Sequence, residues 1–281
     1  MTYDIFQKAK QYLLNNMRYG ENGKVSRRPH GMLVPLIMPD MSRVWGIDIS
    51  HWNIPPVDLL GMKEKFGLKF VVIKGCDGSI RARYVLDHVA TAKAAGLPFG
   101  LYNWLYPGNK VSLDTQTNAW VKLAKEVMPS MGIVIDAEWT TFAGVAANPN
   151  SVDLRGAHDR IKSKWGKSAI TYTAKGYSDT YLKGFDYSRE PLWVASYGGT
   201  SPLMPKGATR WDIWQFTSTL DGKQLDEMGN HELDGNYFNG DESSFRSFFN
   251  LTDEPLPPVQ TKRFTLTIDG IGTTTGEIEN V

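Results

Sequence analysis

The 281-residue sequence predicts an α/β fold, an irregular TIM-like barrel of about eight strands and about five helices whose later helices are missing. Three observations predict it. Eight short β-branched or aromatic runs are bounded by turn residues, many of them are apolar on both faces as buried parallel strands are, and helical patterns separate the first five. Parallel strands need crossovers, and eight of them in about 200 residues favour a closed barrel over the alternative, an open doubly wound sheet. Neither GxGxxG nor GxxxxGKS/T follows the first strand, so no phosphate fingerprint supports that alternative.

The runs are VWGIDIS (44–50), KFVVIKG (69–75), PFGLYNW (98–104), GIVIDAE (132–138), SAITYT (168–173), PLWVAS (191–196), RWDIWQF (210–216) and, more weakly, LDGNYF (233–238). Helices are expected at 57–66, at 84–95 closed by Gly96, at 112–127 opened by Ser112, and at 151–165 opened by Ser151 and closed by Gly166. After the fifth strand the connections shorten, with a turn around 176–183 and a last helix at 241–250.

The organisation that follows is an N-terminal extension (1–43), a catalytic barrel (44–251), and a linker with a short C-terminal β segment (252–281). The extension carries seven Lys/Arg and three Asp/Glu, and Ile5, Ala9, Leu13 and Met17 recur at i+4 spacing, the mark of an amphipathic helix. Such a helix either packs on the barrel or docks a partner. The C-terminal flank opens with DEPLPPVQ and continues as TKRFTLTIDG, a hairpin-strand pattern that serves as a small module or an augmenting strand.

Composition excludes several classes. The net charge of +1 gives no long-range attraction to nucleic acid or anionic membrane, and 41% hydrophobic residues exclude global disorder. One cysteine, Cys76, forms no internal disulfide, and His30, His51, His88, His158 and His231 show no zinc-like spacing, so no metal and no cofactor is expected. MLVPLIM at 32–38 falls far short of the ~18 residues that span a bilayer, and the first twenty residues lack a signal peptide's apolar region. Work outside the cytoplasm would then depend on another export route.

Chemistry in a barrel sits at the C-terminal ends of its strands, and there this sequence places carboxylates. Asp48 ends the first strand, Asp136 and Glu138 end the fourth, and Asp234 lies in the eighth. Period-2 alternation puts Asp136 and Glu138 on one face with Cα atoms ~7 Å apart. Mutual repulsion and burial beside Trp139 raise at least one pKa, which supplies the acid that glycosidic cleavage needs, while an ionised partner stabilises the anomeric cation or attacks it. Magnesium or calcium binding is the competing use of such carboxylates, although no DxDxDG loop accompanies them. Trp52, Trp104, Tyr106, Trp139, Tyr172, Tyr197 and Trp214 fall at or beyond strand ends, where rings stack on sugars or pack the barrel rim. Cys76 reads as an inert buried thiol, and GxSxG is absent.

In their order, GIDIS, FVVIKGCDG, PFGLYNW, IVIDAEW, ITYT, LWVASYG, WDIWQFTS and LDGNYF resemble the family 25 glycoside hydrolases, the Chalaropsis-type lysozymes common among phage endolysins and bacterial autolysins. The resemblance covers about 44–240. It implies N-acetylmuramidase action on bacterial peptidoglycan at the β-1,4 bond from N-acetylmuramic acid to N-acetylglucosamine. Glu138 would be the general acid and Asp136 its partner, with Asp48 and Asp234 completing the cluster. An aspartate would attack covalently or would assist the substrate's own 2-acetamido oxygen. Lys74, Tyr102, Tyr172, Tyr197 and Gln215 fall at family positions near the cleft, Trp104 joining them as a sugar-stacking ring. The second-strand motif, KGCDG in place of the family's KATEG, and Asn103 in place of histidine depart from the pattern. The competing expectation is a cell-wall-binding or virion module with lost or reduced turnover. Without a signal peptide, the resemblance implies host cytoplasm and then cell wall, or the virion, as the place of action.

Overall fold

The computed structural model describes residues 37–226 and 232–251, together with the backbone strands Thr261–Ile268 and Gly272–Glu279. The amphipathic helix expected near residue 10 and the linker from 252 to 260 lie outside the described residues. Among these, eight strands make the barrel: β1 (Trp45–Ile49), β2 (Phe70–Asp77), β3 (Phe99–Trp104), β4 (Gly132–Asp136), β5 (Ile170–Ala174), β6 (Leu192–Ala195), β7 (Ile213–Asp221) and β8 (Glu232–Phe238). Strands β1 to β7 run parallel, each beside its neighbour in sequence. Strand β8 runs antiparallel between β7 and β1 and closes the cylinder.

Helices α1 (Leu59–Phe66), α2 (Val85–Ala94), α3 (Leu113–Val127), α4 (Ser151–Trp165) and α5 (Lys175–Tyr181) follow the first five strands, and α6 (Glu242–Phe248) follows β8. Where the sequence indicated a turn around 176–183, α5 makes two helical turns. The opener of α4 is Asn150 rather than Ser151. Its side chain accepts from the backbone N–H groups of Val152 and Asp153 at 2.8 and 3.1 Å, and Asp153 returns a bond to the Asn150 N–H. That reciprocal capping box satisfies helix donors a serine one residue later would leave open.

Alternation along the strands sorts the core into two layers. Ile47, Ile49, Val71, Ile73, Leu101, Ile133, Ile135 and Val194 face outward and pack on helix residues such as Met62, Val89, Trp120, Ala124, Leu154 and Ile161. The intervening positions Phe70, Val72, Val134, Ile170, Trp193 and Phe238 fill the barrel interior, plugged from below by Phe245 of α6. Each such side chain contributes roughly 1.5–3 kcal/mol by leaving water. At Gly46 an added Cβ would lie 2.5 Å from the Phe70 ring, so the interior has no room for a larger residue there.

Among the described residues, the outer faces of β7 and β8 meet only the helical turn Gly222–Leu225 in place of a full helix. Trp214, Phe216 and Tyr237 form a ring cluster there, with Phe216 and Tyr237 stacked at 4.0 Å. The arm of residues 37–43, grouped with the extension by sequence, covers them. Ile37 bridges to β7 through bonds with the Thr219 carbonyl and the Asp221 N–H, both 2.9 Å, the Asp40 N–H meets the Tyr237 hydroxyl at 2.7 Å, and the Arg43 guanidinium lies 4.1 Å from the Tyr237 ring centre. The C-terminal segment forms a two-stranded antiparallel sheet, β9 (Thr261–Ile268) with β10 (Gly272–Glu279). Among the described residues it pairs with no barrel strand, and no helix is long and apolar enough to cross a membrane.

Candidate active site

At the C-terminal ends of the parallel strands the interior changes from apolar to polar. On the inward positions Phe70 and Val72 are succeeded by Lys74, Val134 by Asp136, Ile170 by Tyr172, Ile213 by Gln215, and Gly46 by Asp48. Because β8 is reversed, its beginning lies at this same end, and Asp234 is the register partner of Asp48. Neighbouring pairs are Lys74 with Tyr102, Trp104 with Asp136, and Asp136 with Tyr172. The structure thus brings the four carboxylates expected from sequence to one mouth.

Two carboxyl pairs result. Asp48 and Asp234 share a hydrogen bond; burial pushes Asp48 up to about 6 and, with the charge of Asp48, raises Asp234 well above the usual carboxylate range. Burial and the neighbouring Glu138 charge raise Asp136 likewise, against the opposing pull of Lys74. The Ala137 N–H still bonds the Tyr172 carbonyl, which leaves Glu138 half-buried one residue beyond the paired strand. Asp136 Oδ1 is buried with no hydrogen-bond partner among the described residues. Folded proteins retain such an acceptor at a cost, most often where function needs it.

The remaining side chains order this mouth. Lys74 is buried, 3.4 Å from Asp77 Oδ2, with its ammonium 4.9 Å from the Trp104 ring centre. One face of Trp104 is thereby engaged. Its indole N–H donates to Thr140 Oγ1 at 2.9 Å, and Thr140 donates to the Glu138 carbonyl at 2.9 Å, so Trp104 braces the turn that carries Glu138. Tyr172 and Tyr197 donate to Gln215 Oε1, Gln215 Nε2 donates to Asp48 Oδ2, and Tyr102 bonds Ser50. Burial and the surrounding carboxylates raise the phenol pKa values of Tyr102, Tyr172 and Tyr197, so all three remain neutral.

Trp52, Trp139 and Tyr197 expose 63%, 55% and 55% of their surface, which makes them the rings open to a sugar. Trp214 does not belong with them. It is 2% exposed on the outside of the barrel, because its neighbour Gln215 occupies the inward position. Asn103 also points away from the interior, donating to the carbonyls of Leu101 and Val134 behind the site. Cys76 is buried and its thiol is pushed up to about 12, too high for a nucleophile near neutrality. Two side chains that the sequence reading missed belong to the cluster: Asn236 donates to Asp48 Oδ2 at 2.7 Å, and Trp193 donates to Asn236. Asn236 stands two residues after Asp234 on the same strand face, a signal within reach of the alternation rule.

Raised carboxyl pKa values carry a stability cost with a definite sign. A group that binds its proton more tightly when folded contributes stability in full below the ordinary carboxylate pKa, and that contribution is lost as pH rises through about 6 for Asp48. The shift from 3.8 to about 6 corresponds to about 3 kcal/mol. Asp48→Asn keeps an oxygen to accept from Gln215 and Asn236. We expect it to melt with the parent protein near pH 4 and roughly 5–10 °C above it at pH 8, measured by calorimetry. Parallel melting curves at both pH values would show that the charge carries no such cost.

Comparison with known proteins agrees with this geometry. The model of the glycosyl hydrolases family 25 matches residues 47–224. Lysozyme M1 of Streptomyces globisporus is 25% identical over 226 residues, spanning 76% of this chain and 74% of that protein. Among solved structures, the bacterial lysozyme from Streptomyces coelicolor superposes with a TM-score of 0.61 at 23% identity, covering 75% of this chain and 99% of its own. The muramidase from Acremonium alcalophilum gives 0.62 at 21% identity, covering 74% and 99%. With the match reaching from β1 to the helical turn after β7, the chain belongs to the glycosyl hydrolases family 25.

Proposed function

We propose that the barrel mouth is the active site of a peptidoglycan N-acetylmuramidase, cutting the β-1,4 bond between N-acetylmuramic acid and N-acetylglucosamine. The observation that carries this reading is the convergence of two proton-retaining carboxyl pairs at one end of the barrel beside exposed rings. Glycosidic cleavage needs a proton for the leaving oxygen and negative charge for the oxocarbenium-like centre.

The Asp136–Glu138 pair supplies the proton. Burial and the Glu138 charge favour the protonated form of Asp136, so repulsion between the two carboxyl groups holds a proton at the pair. Glu138, the outer and less buried member, reaches the glycosidic oxygen and delivers it. The charge left on Asp136 is compensated by the Lys74 ammonium. Asp48 and Asp234 contribute negative charge from across the mouth, while Trp52, Trp139 and Tyr197 stack on the sugars.

Digestion of purified peptidoglycan, borohydride reduction and mass spectrometry of the fragments test this. Reduced muramic acid ends are expected. Reduced glucosamine ends would instead indicate a glucosaminidase, and intact peptidoglycan from several bacteria would remove the enzymatic reading.

A further inference from the structure

Asp48 meets two amide side chains, and the orientation of one of them is not free. Asn236 accepts at Oδ1 from the Trp193 indole at 2.8 Å. An indole N–H only donates, so the amide can take one orientation, with Nδ2 turned to Asp48 Oδ2 at 2.7 Å. Gln215 stands beside it without that constraint, because phenols accept as well as donate: the Tyr172 and Tyr197 hydroxyls meet its Oε1 at 2.8 and 2.7 Å, and its Nε2 donates to the same Asp48 oxygen at 2.8 Å. Asp48 Oδ2 thus receives two N–H donors, the one from Asn236 fixed by Trp193, an arrangement that favours the ionised carboxylate. Because both donors favour the charge on Asp48, the proton of the Asp48–Asp234 hydrogen bond falls to Asp234.

We infer that Asn236, oriented by Trp193, is a positioning residue that keeps Asp48 the ionised and Asp234 the protonated member of their pair. The inference rests on the muramidase reading and adds to it where the pair's single negative charge resides and which carboxyl offers an O–H donor to the substrate side. Groups facing Asp48 from the other elements are Asp234 on β8, Asp136 on β4, Tyr102 on β3, Tyr172 on β5 and Tyr197 beyond β6. The tyrosines are neutral across the working range, so the titrating neighbours of the pair are Asp136, facing Asp48, and Glu138 and Glu232, facing Asp234.

The test is a carboxyl NMR titration of the full chain labelled with 13C at the aspartate side chain, without substrate, the Asp48 and Asp234 signals being assigned from Asp48→Asn and Asp234→Asn. Losing one hydrogen bond to a charged group corresponds to a shift of about 1–2 pH units. In Asn236→Leu the Asp48 midpoint should rise by about that much. Trp193→Phe, which keeps a ring against Tyr172, should raise it in the same direction by less. The acid limb of kcat/KM on peptidoglycan should move upward with the Asp48 midpoint, the alkaline limb and KM staying in place. An Asp48 signal unmoved in a folded Trp193→Phe protein overturns the inference, as does a loss of activity equal at every pH. A protein that titrates as expected yet releases no reducing ends supports the inference and overturns the muramidase reading, so the two failures are distinguishable.

Discussion

Glu138→Gln is expected to lower turnover of peptidoglycan by about 10³-fold while leaving the circular dichroism spectrum and melting temperature of the protein in place. The amide has the shape of the carboxyl group and sits half-buried on the same turn, which Thr140 continues to hold through the Glu138 backbone carbonyl. It cannot hand over a proton. Removing the Glu138 charge also relieves one of the forces that raise Asp136, so the remaining carboxyl ionises at lower pH. Muropeptide release assayed beside the spectrum decides the matter: near-parent activity in a folded Glu138→Gln protein would remove this residue from the reaction.

Asp136→Asn should cost about 10²-fold or more, through a different route. Asp136 lies 3% exposed, with Lys74 as the opposing charge in its surroundings. The asparagine retains an oxygen but no charge to stabilise the positive sugar centre. It also leaves Lys74 without a buried partner, although Asp77 remains 3.4 Å away. The two variants separate by their pH profiles. Asp136→Asn dissolves the coupled pair, so its residual activity should follow Glu138 alone, whereas Glu138→Gln should be low at all pH values. Full activity in Asp136→Asn would exclude the residue from the charge-stabilising role.

Much of the barrel was legible because parallel strands announce themselves by composition. GIVID and KFVVIK are apolar on both faces, and Gly, Pro and capping residues bracket the helices between them. The end of β7 was not. Beyond Phe216 the residues TSTLD show no alternation, and the strand continues to Asp221 because β8 and Ile37 pair with it, across register shifts between Gln215 and Thr217 and between Thr217 and Leu220. Pairing partners remote in sequence created that segment. The carboxylates were legible as strand-end residues, but the opposition of Asp48 and Asp234 depends on the reversal of β8, which no local pattern encodes. Trp214 shows a different failure. Its neighbour Gln215 was also placed near the cleft, and adjacent residues of a strand cannot share one face, so alternation applied strictly would have assigned one of them to the outside.

The arm of residues 37–43 has a practical consequence for anyone dissecting the chain. Trimming to Val44, the first residue of the barrel run seen in sequence, strips Trp214, Phe216 and Tyr237 of their cover and removes the Arg43 guanidinium stacked on Tyr237. A fragment so shortened would present a greasy flank to its neighbours in solution and clump at concentrations the longer protein tolerates. Ile37 belongs to that lining, so the useful start point for a minimal lytic fragment lies several residues earlier than the first strand suggests.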